Sequence, residues 1–290
     1  MELTKWREQQ GDKKQLFCVI GDPIAQSKSP LMHNRAFQEL GLQSAYGAFL
    51  VKEDQLEAFI KEARDCHLAG LNVTIPHKLN VMKYLDAIDQ DAKELGAVNT
   101  IVNDNGRLIG YNTDGIGYVR SLKEEAIASL EHAAIVVIGA GGAARGIVHA
   151  LLKEKPARIV LVNRSIDKAE LLASSLQHNG VIQVCGLEQL QSVCADADVV
   201  INTTSVGMYP NEEEQPALGS WLKRGAVASD LIYNPLYTRF VEDAEKHGCM
   251  KHGGLGMFIY QGAYAFEYWT GLKAPVQAMR EAVMEALAKR

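Results

Sequence analysis

Ala134 to Ile138 is an unbroken apolar run that ends on Gly139-Ala140-Gly141-Gly142-Ala143-Ala144. A strand-length run followed by G-x-G-x-x-A, opening a helical pattern over Gly142 to Lys153, admits few folds. Gly139 permits the tight turn, Gly141 lets the backbone approach a pyrophosphate, and Ala144 allows close helix-to-strand packing. With Ala140, Gly142 and Ala143 they form a loop whose N–H groups and positive helix end suit an anion. The pattern predicts a parallel α/β domain that binds a dinucleotide. An NAD site usually carries an acidic residue about 20 positions further on, at the end of the next strand. Here Arg158 to Val162 runs out into Asn163-Arg164-Ser165, with Lys168 one turn later. Arg164 can stack on adenine and pair with a 2′-phosphate, Ser165 can donate to it, and Lys168 adds a point charge, so the dinucleotide is read as NADP.

The rest of the chain alternates in the same way. Leu16 to Ile20 reads as a buried strand closed by Gly21-Asp22-Pro23. A helix from Pro30 to near Gly41, a strand Tyr46 to Val51, a helix Asp54 to Cys66 and a strand Leu71 to Thr74 follow. That order argues for a mostly parallel sheet covered by helices. Ala97 to Asn103 and Arg107 to Tyr111 flank Asp104-Asn105-Gly106, a hairpin composition, so this sheet gains an antiparallel member. Beyond a helical pattern from Asp114 to about Leu130, strands at 134–138, 158–162, 181–185, 198–201 and 226–230 form a second series, with a helix over Ile166 to His178. Two more helical patterns, Gly256 to Trp269 and Pro275 to Lys289, close the chain. The expected architecture is α/β, with two open α/β domains and a cleft between them. An N-terminal substrate domain with a mostly parallel mixed sheet takes 15–115 plus helices from about 257 to 290, and a Rossmann NADP domain takes 116–256. Met1 to Lys14 reads as a charged, mobile extension with nothing to pack.

Within the first series, Leu71-Asn72-Val73-Thr74-Ile75-Pro76-His77-Lys78 places a lysine oddly. Pro76 suits the first position of a helix, which puts Lys78 in its first turn. A cation there faces the positive end of the helix dipole, and such a lysine gives up its proton more readily. Taken alone, a lysine is more often a solvated surface group. Other polar residues gather at the same strand ends: Ser27, Ser29, Asn72, Thr74, Asn99, Thr100, Asn112, Thr113 and Asp114. Singly each reads as a cap or turn residue; together they outline a site for a small polyhydroxylated molecule. No metal-ligand spacing and no G-x-S-x-G elbow occurs, so no metal is expected and hydrolysis is disfavoured.

A net charge of -5 and a pI near 5.9 provide no footprint for nucleic acid or an anionic membrane. No apolar run approaches the roughly 20 residues needed to span a bilayer. Cys18, Cys66, Cys185, Cys194 and Cys249 are scattered, without a C-x-x-C pair, and read as reduced thiols. A cytoplasmic protein, monomer or homodimer, is expected.

The runs Gly21-Asp22-Pro23-Ile24-Ala25-Gln26-Ser27-Lys28-Ser29-Pro30, Asn72 to Lys78, Gly96-Ala97-Val98-Asn99-Thr100 and Asn112-Thr113-Asp114-Gly115 closely resemble the shikimate dehydrogenase family. So do Asn202 to Met208, Asp230 to Pro235, and Gly254-Leu255-Gly256-Met257 with Gln261. The resemblance spans about Leu16 to the C-terminus and implies NADP-linked interconversion of shikimate and 3-dehydroshikimate, on the way to aromatic amino acids. It further implies that Ser27 and Ser29 bind the substrate carboxylate, and that Asn72, Thr74, Asn99, Asp114 and Gln261 hold hydroxyl groups. Lys78 is then the acid/base group, paired with Asp114. Thr203, Thr204, Ser205 and Val206 line the nicotinamide side, Ile232 and Gly254 also bind the cofactor, Met257 lies beside the ring, and Tyr233 closes over the substrate. His33 and His77 take packing or helix-end roles. Two other readings stand beside this one: an NAD-linked quinate/shikimate dehydrogenase, against which Arg164 and Lys168 speak, and a non-catalytic NADP-binding sensor.

Overall fold

The computed structural model describes residues 3–176 and 180–288. They divide into two compact units, one of Met1–Thr113 with Ile259–Arg290 and one of Asp114–Phe258, each built on its own six-stranded sheet.

The first unit opens with α1 (Leu3–Gln9), β1 (Gln15–Gly21), α2 (Ser29–Glu39), β2 (Ser44–Leu50), α3 (Leu56–Asp65) and β3 (Gly70–Val73). The short β4 (Ala87–Ile88) and α4 (Gln90–Leu95) lead to β5 (Thr100–Asp104) and β6 (Arg107–Tyr111). The sheet order is β2-β1-β3-β5-β6-β4. β1 runs parallel to β2 and β3, while β5 is antiparallel to both β3 and β6. Every residue of β1 from Leu16 to Gly21 is buried whichever face it takes, which is why the strand reads as a continuous apolar run. The expected hairpin is present: Asp104 pairs with Arg107, and Asn105 and Gly106 take φ of 51° and 93°. Such a two-residue loop matches the twist of the flanking strands.

Expectations for the N-terminal segment and for Lys78 fail in this unit. Residues 1–14 were expected to be a mobile extension with nothing to pack, yet α1 buries Leu3 and Trp6, which are 1% and 8% exposed. The Trp6 ring meets Phe49 edge-on at 5.4 Å and lies against Gly47, where a Cβ would come within 3.0 Å of it. Thr4 donates to Glu62 of α3 from its backbone N and its hydroxyl, at 3.0 and 2.7 Å, and Arg7 donates to the Cys66 carbonyl. A helix of 7 residues, about two turns, is too short for its period to stand out among charged neighbours. The second failure concerns Lys78. Ile75–Pro76 is a cis peptide bond, residues 75–79 form turns, and a 3₁₀ helix begins only at Asn80. Lys78 therefore sits in no helical first turn, and the dipole argument for it lapses.

The second unit runs α5 (Asp114–Glu125), β7 (Ala134–Ile138), α6 (Gly142–Lys153), β8 (Arg158–Val162), α7 (Ile166–Ser174), β9 (Ile182–Cys185), α8 (Leu190–Ala195) and β10 (Val199–Asn202). Then come β11 (Val227–Asp230), α9 (Arg239–Lys246), β12 (Met250–His252) and the start of α10 (Leu255–Thr270); the rest of α10 and α11 (Val276–Ala288) belong to the first unit. The strand order is β12-β11-β10-β7-β8-β9, and every pairing is parallel. Strand order reverses between β7 and β10, the place where open α/β sheets hold ligands. The helix end expected at His178 lies outside the described residues. The short α8, α9 and β12 went unanticipated, because few residues give no measurable period. No helix among the described residues is long and apolar enough to cross a membrane.

Trp6→Ala removes an aromatic ring from a packed site and is expected to cost about 3 kcal/mol of stability. Urea denaturation of the full chain measures it; an unchanged midpoint would show that α1 contributes nothing to the core.

Candidate active site

In the first unit the polar side chains at the strand ends form one buried hydrogen-bond chain. Asn72 donates both amide protons, to the Asn99 carbonyl at 3.2 Å and to Thr100 Oγ1 at 3.1 Å. The Asn99 carbonyl can only accept, so the amide has one orientation and Oδ1 must point the other way. There it accepts from the Tyr46 hydroxyl at 2.6 Å. Thr100 passes its own proton to Asn99 Oδ1 at 3.0 Å, and that oxygen also accepts from the Thr113 backbone N at 2.8 Å. With both protons committed, Asn72 can only accept from a ligand, which suits a hydroxyl hydrogen.

The same chain reaches the serines. Ser29 opens α2 and its hydroxyl interacts with the Tyr46 phenol, which burial pushes well above the usual tyrosine range. Ser27 sits just before it, its Oγ accepting from Ser29 N at 3.3 Å. Asn34 ties α2 to β2, donating to the Tyr46 carbonyl at 2.9 Å and accepting from Tyr46 N at 2.9 Å. His33 stacks on Tyr46 with centroids 4.5 Å apart; burial pulls it down to about 3, so it stays neutral and serves as packing. Gln261 lies half-buried on α10 beside Gly262, whose missing side chain lets the helix pass against Met32 and His33.

Lys78 is half-buried in a segment pinned from both sides. Its carbonyl accepts from Val98 N at 2.8 Å, and the His77 Nε2 lies 2.7 Å from the Val51 carbonyl, so that nitrogen carries the ring proton. Thr74, also half-buried, bonds back to Ile20 through its N at 3.0 Å. Ala97 to Asn99 were expected to begin a strand, but β5 starts at Thr100: Ala97 N and Val98 N donate to the Ala92 and Lys78 carbonyls, while Asn99 already bonds to the sheet, donating to the Tyr111 carbonyl at 3.0 Å and accepting from Val73 N at 2.8 Å. Asp114 follows Thr113 directly and opens α5, where a carboxylate suits the helix N-terminus.

In the second unit Gly139 and Thr203 stand side by side across the switch point. Gly139 has φ of 112°, a Cβ there would lie 2.5 Å from Thr203 Oγ1, and Thr203 donates to the Ile138 carbonyl through N and Oγ1 at 2.9 and 2.8 Å. Only glycine fits that turn. Gly141, Gly142 and Ala143 are exposed, and at both glycines a side chain would extend into open space. Bare N–H groups at a helix start, with room before them, fit the pyrophosphate of a dinucleotide. Asn163 donates to the Ser165 carbonyl at 2.8 Å and so shapes the loop carrying Arg164, which is exposed together with Lys168. Ala140 and Met257 pack against the core beneath. Ile232 N donates to Asp230 Oδ1 at 3.0 Å, and the Tyr233 ring stacks on Phe258 at 5.4 Å. Gly254 passes hard against the Leu231 carbonyl, leaving no room for a Cβ. Thr204 donates to Asn202 Oδ1 from N and Oγ1 and its hydroxyl accepts from Val206 N, so the loop containing Ser205 is closed on itself.

Tyr46, Asn34 and the Asn202–Asp230 pair were not singled out from the sequence. Tyr46 reads there as one more aromatic in a buried strand. The signals for Asp230 were a carboxylate ending the apolar strand before Leu231 and its place in the run Asp230 to Pro235.

The chain matches three family models: the shikimate dehydrogenase substrate binding domain over residues 19–101, shikimate / quinate 5-dehydrogenase over 121–215, and the shikimate 5-dehydrogenase C-terminal domain over 254–284. It is 45% identical over 274 residues to a shikimate dehydrogenase (NADP(+)) of Bacillus cytotoxicus, covering 94% of this chain and 99% of the relative. A shikimate dehydrogenase crystallised with NADP+ superposes with a TM-score of 0.88 at 41% identity, covering 95% and 96% of the two chains. The Thermus thermophilus enzyme, solved with NADP(H) and shikimate, does so with a TM-score of 0.84 at 34% identity, covering 94% and 100%.

Tyr46→Phe would leave Asn72 Oδ1 without its buried donor. Unfolding experiments should show a loss of about 1–3 kcal/mol, and the KM for the small substrate should rise while that for the dinucleotide holds. Wild-type values for both would remove Tyr46 from the site.

Proposed function

The chain belongs to the shikimate dehydrogenase family, and from that premise we propose how its residues carry out the NADP-linked interconversion of shikimate and 3-dehydroshikimate. The single observation that carries the assignment of the substrate unit is the buried chain from Tyr46 through Asn72 and Thr100 to Asn99 and Thr113, because it aims defined acceptors and donors from a rigid sheet. Ser27 and Ser29 take the carboxylate. Asn72, Thr74, Asn99, Asp114 and Gln261 take the ring hydroxyls, Asn72 as an acceptor only. The first unit is thus the substrate domain and the second holds the dinucleotide.

When bound, NADPH supplies the hydride. Lys78, protonated, gives its Nζ proton to the substrate oxygen as the carbonyl becomes an alcohol, and its charge stabilises the oxygen while negative charge builds there. In the oxidising direction the neutral amine takes the hydroxyl proton back. Asp114 orients the lysine and the reacting hydroxyl. The backbone bond from Val98 to the Lys78 carbonyl and the His77–Val51 bond keep the segment from drifting, and small displacements of a reacting group lose much of the rate.

On the dinucleotide side, Gly139 to Ala143 receive the pyrophosphate and Thr203 to Val206, Ile232, Gly254 and Met257 the nicotinamide half. Arg164, Ser165 and Lys168, on a loop that Asn163 shapes, hold the 2′-phosphate. Tyr233 lies over the substrate. The protein's partners on this reading are two small molecules, and its place is the cytoplasm, consistent with five unpaired cysteines.

Lys78→Ala is expected to lower kcat about 10² to 10⁴-fold with NADPH binding preserved, read from nicotinamide absorbance for turnover and from titration for binding. Full turnover in that variant would end the acid/base role. Arg164→Ala removes a charge-assisted contact and should raise the KM for NADP about 10-fold or more while scarcely affecting NAD. Equal losses with the two cofactors would mean that Arg164 does not read the 2′-phosphate.

A further inference from the structure

Asp230 is fully buried at the carboxyl end of β11, beside Asn202 at the end of β10 in the sheet register. Its Oδ2 accepts from Asn202 Nδ2 at 3.0 Å and from the Thr238 hydroxyl at 2.8 Å, and its Oδ1 accepts from Ile232 N at 3.0 Å. Asn202 Nδ2 faces that carboxylate and the Val206 carbonyl at 3.1 Å, both of which only accept. Its Oδ1 is therefore turned to Thr204, whose N and hydroxyl donate at 3.0 and 2.7 Å. Thr238 stands at the N-cap of α9, where its hydroxyl would ordinarily accept from the helix; it makes no cap bond and serves Asp230 instead. One carboxylate thus holds the loop after β10 from one side and the loop after β11 from the other.

We propose that Asp230 is a positioning residue that clasps the loops Thr203–Val206 and Leu231–Thr238 together, and so sets the nicotinamide half of the dinucleotide site without touching the adenine half. The inference rests on the assignment of Thr203–Val206 and Ile232 to the nicotinamide side. Burial pushes the carboxyl up to about 6 against the pull of its donors, so at neutral pH it is charged and accepts from all of them.

An amide cannot replace this carboxylate in either orientation. Its NH₂ would face the Ile232 N–H, a fixed donor, or Asn202 Nδ2, which cannot turn over without setting its amide against the Thr204 N–H.

The test uses the full-length Asp230→Asn variant and two titrations, NADPH and adenosine 2′,5′-bisphosphate. The first spans both halves of the dinucleotide site, the second only the adenine half. The expected result is NADPH affinity reduced about 10-fold or more, with adenosine 2′,5′-bisphosphate affinity within about 2-fold of wild type. Unchanged NADPH affinity overturns the clasp, and so does a parallel loss of NADPH and adenosine 2′,5′-bisphosphate, which would make Asp230 a prop for the whole fold. Wild-type protein that binds adenosine 2′,5′-bisphosphate but shows no added affinity for NADPH would instead sink the nicotinamide assignment itself. Should Asp230→Asn not fold, Thr238→Val withdraws a single donor, and the same selective loss at smaller amplitude, or its absence, decides the matter.

Discussion

A buried side-chain amide whose NH₂ faces a carbonyl or a carboxylate has one permitted orientation, and an asparagine in each unit is held that way. Asn72 faces the Asn99 carbonyl and Asn202 faces the Asp230 carboxylate and the Val206 carbonyl. A buried polar atom left without a partner costs about 1–3 kcal/mol, so each amide compels its neighbours to present the matching donor or acceptor. In the first unit the neighbours of Asn72 are Tyr46 and Thr100, and in the second those of Asn202 are Thr204, Asp230 and the backbone of Val206. The polar residues at the strand ends are in this sense two connected hydrogen-bond frameworks, each with its asparagine amide fixed in orientation.

That arrangement bears on what the sites can recognise. A chain of side chains with fixed polarity leaves defined lone pairs and protons for a ligand, and a polyhydroxylated molecule is distinguished by where its hydroxyl hydrogens fall. The loop around Lys78 shows the same economy in its backbone. Pinned through its own carbonyl and through His77, Lys78 is held by bonds from the residue after β2 and from the segment before β5, with no regular helix around it. The position of this lysine is a property of the surrounding chain crossings, and the local helix dipole has no part in it.

Much of the fold was legible because it depends on contiguous residues. The apolar runs of β1, β7 and β8, the Asn105-Gly106 turn and the glycine loop after β7 all act over a few positions. Their physics is local: positive φ for glycine or asparagine, burial on both faces for a parallel strand, bare N–H groups at a helix start. The glycine loop, and Arg164, Ser165 and Lys168 one strand later, stand out by spacing for the same reason. Their family resemblance then supplied an activity that spacing alone does not name.

What spacing could not show depends on partners far apart in the chain. Tyr46 meets Asn72 across 26 positions and Asn202 meets Asp230 across 28, so nothing in either neighbourhood marks the pair. Likewise α1 reads as a loose charged leader, yet Phe49 and Glu62 receive Trp6 and Thr4, and Pro76 reads as a helix start, yet residues 75–79 form turns. The sequence by itself determined the two α/β series, the turn chemistry and the dinucleotide loop, because each is written in neighbouring residues. Only the tertiary structure decided which buried polar groups answer one another, because that pairing is set by burial, and burial exists only once the sheets have formed.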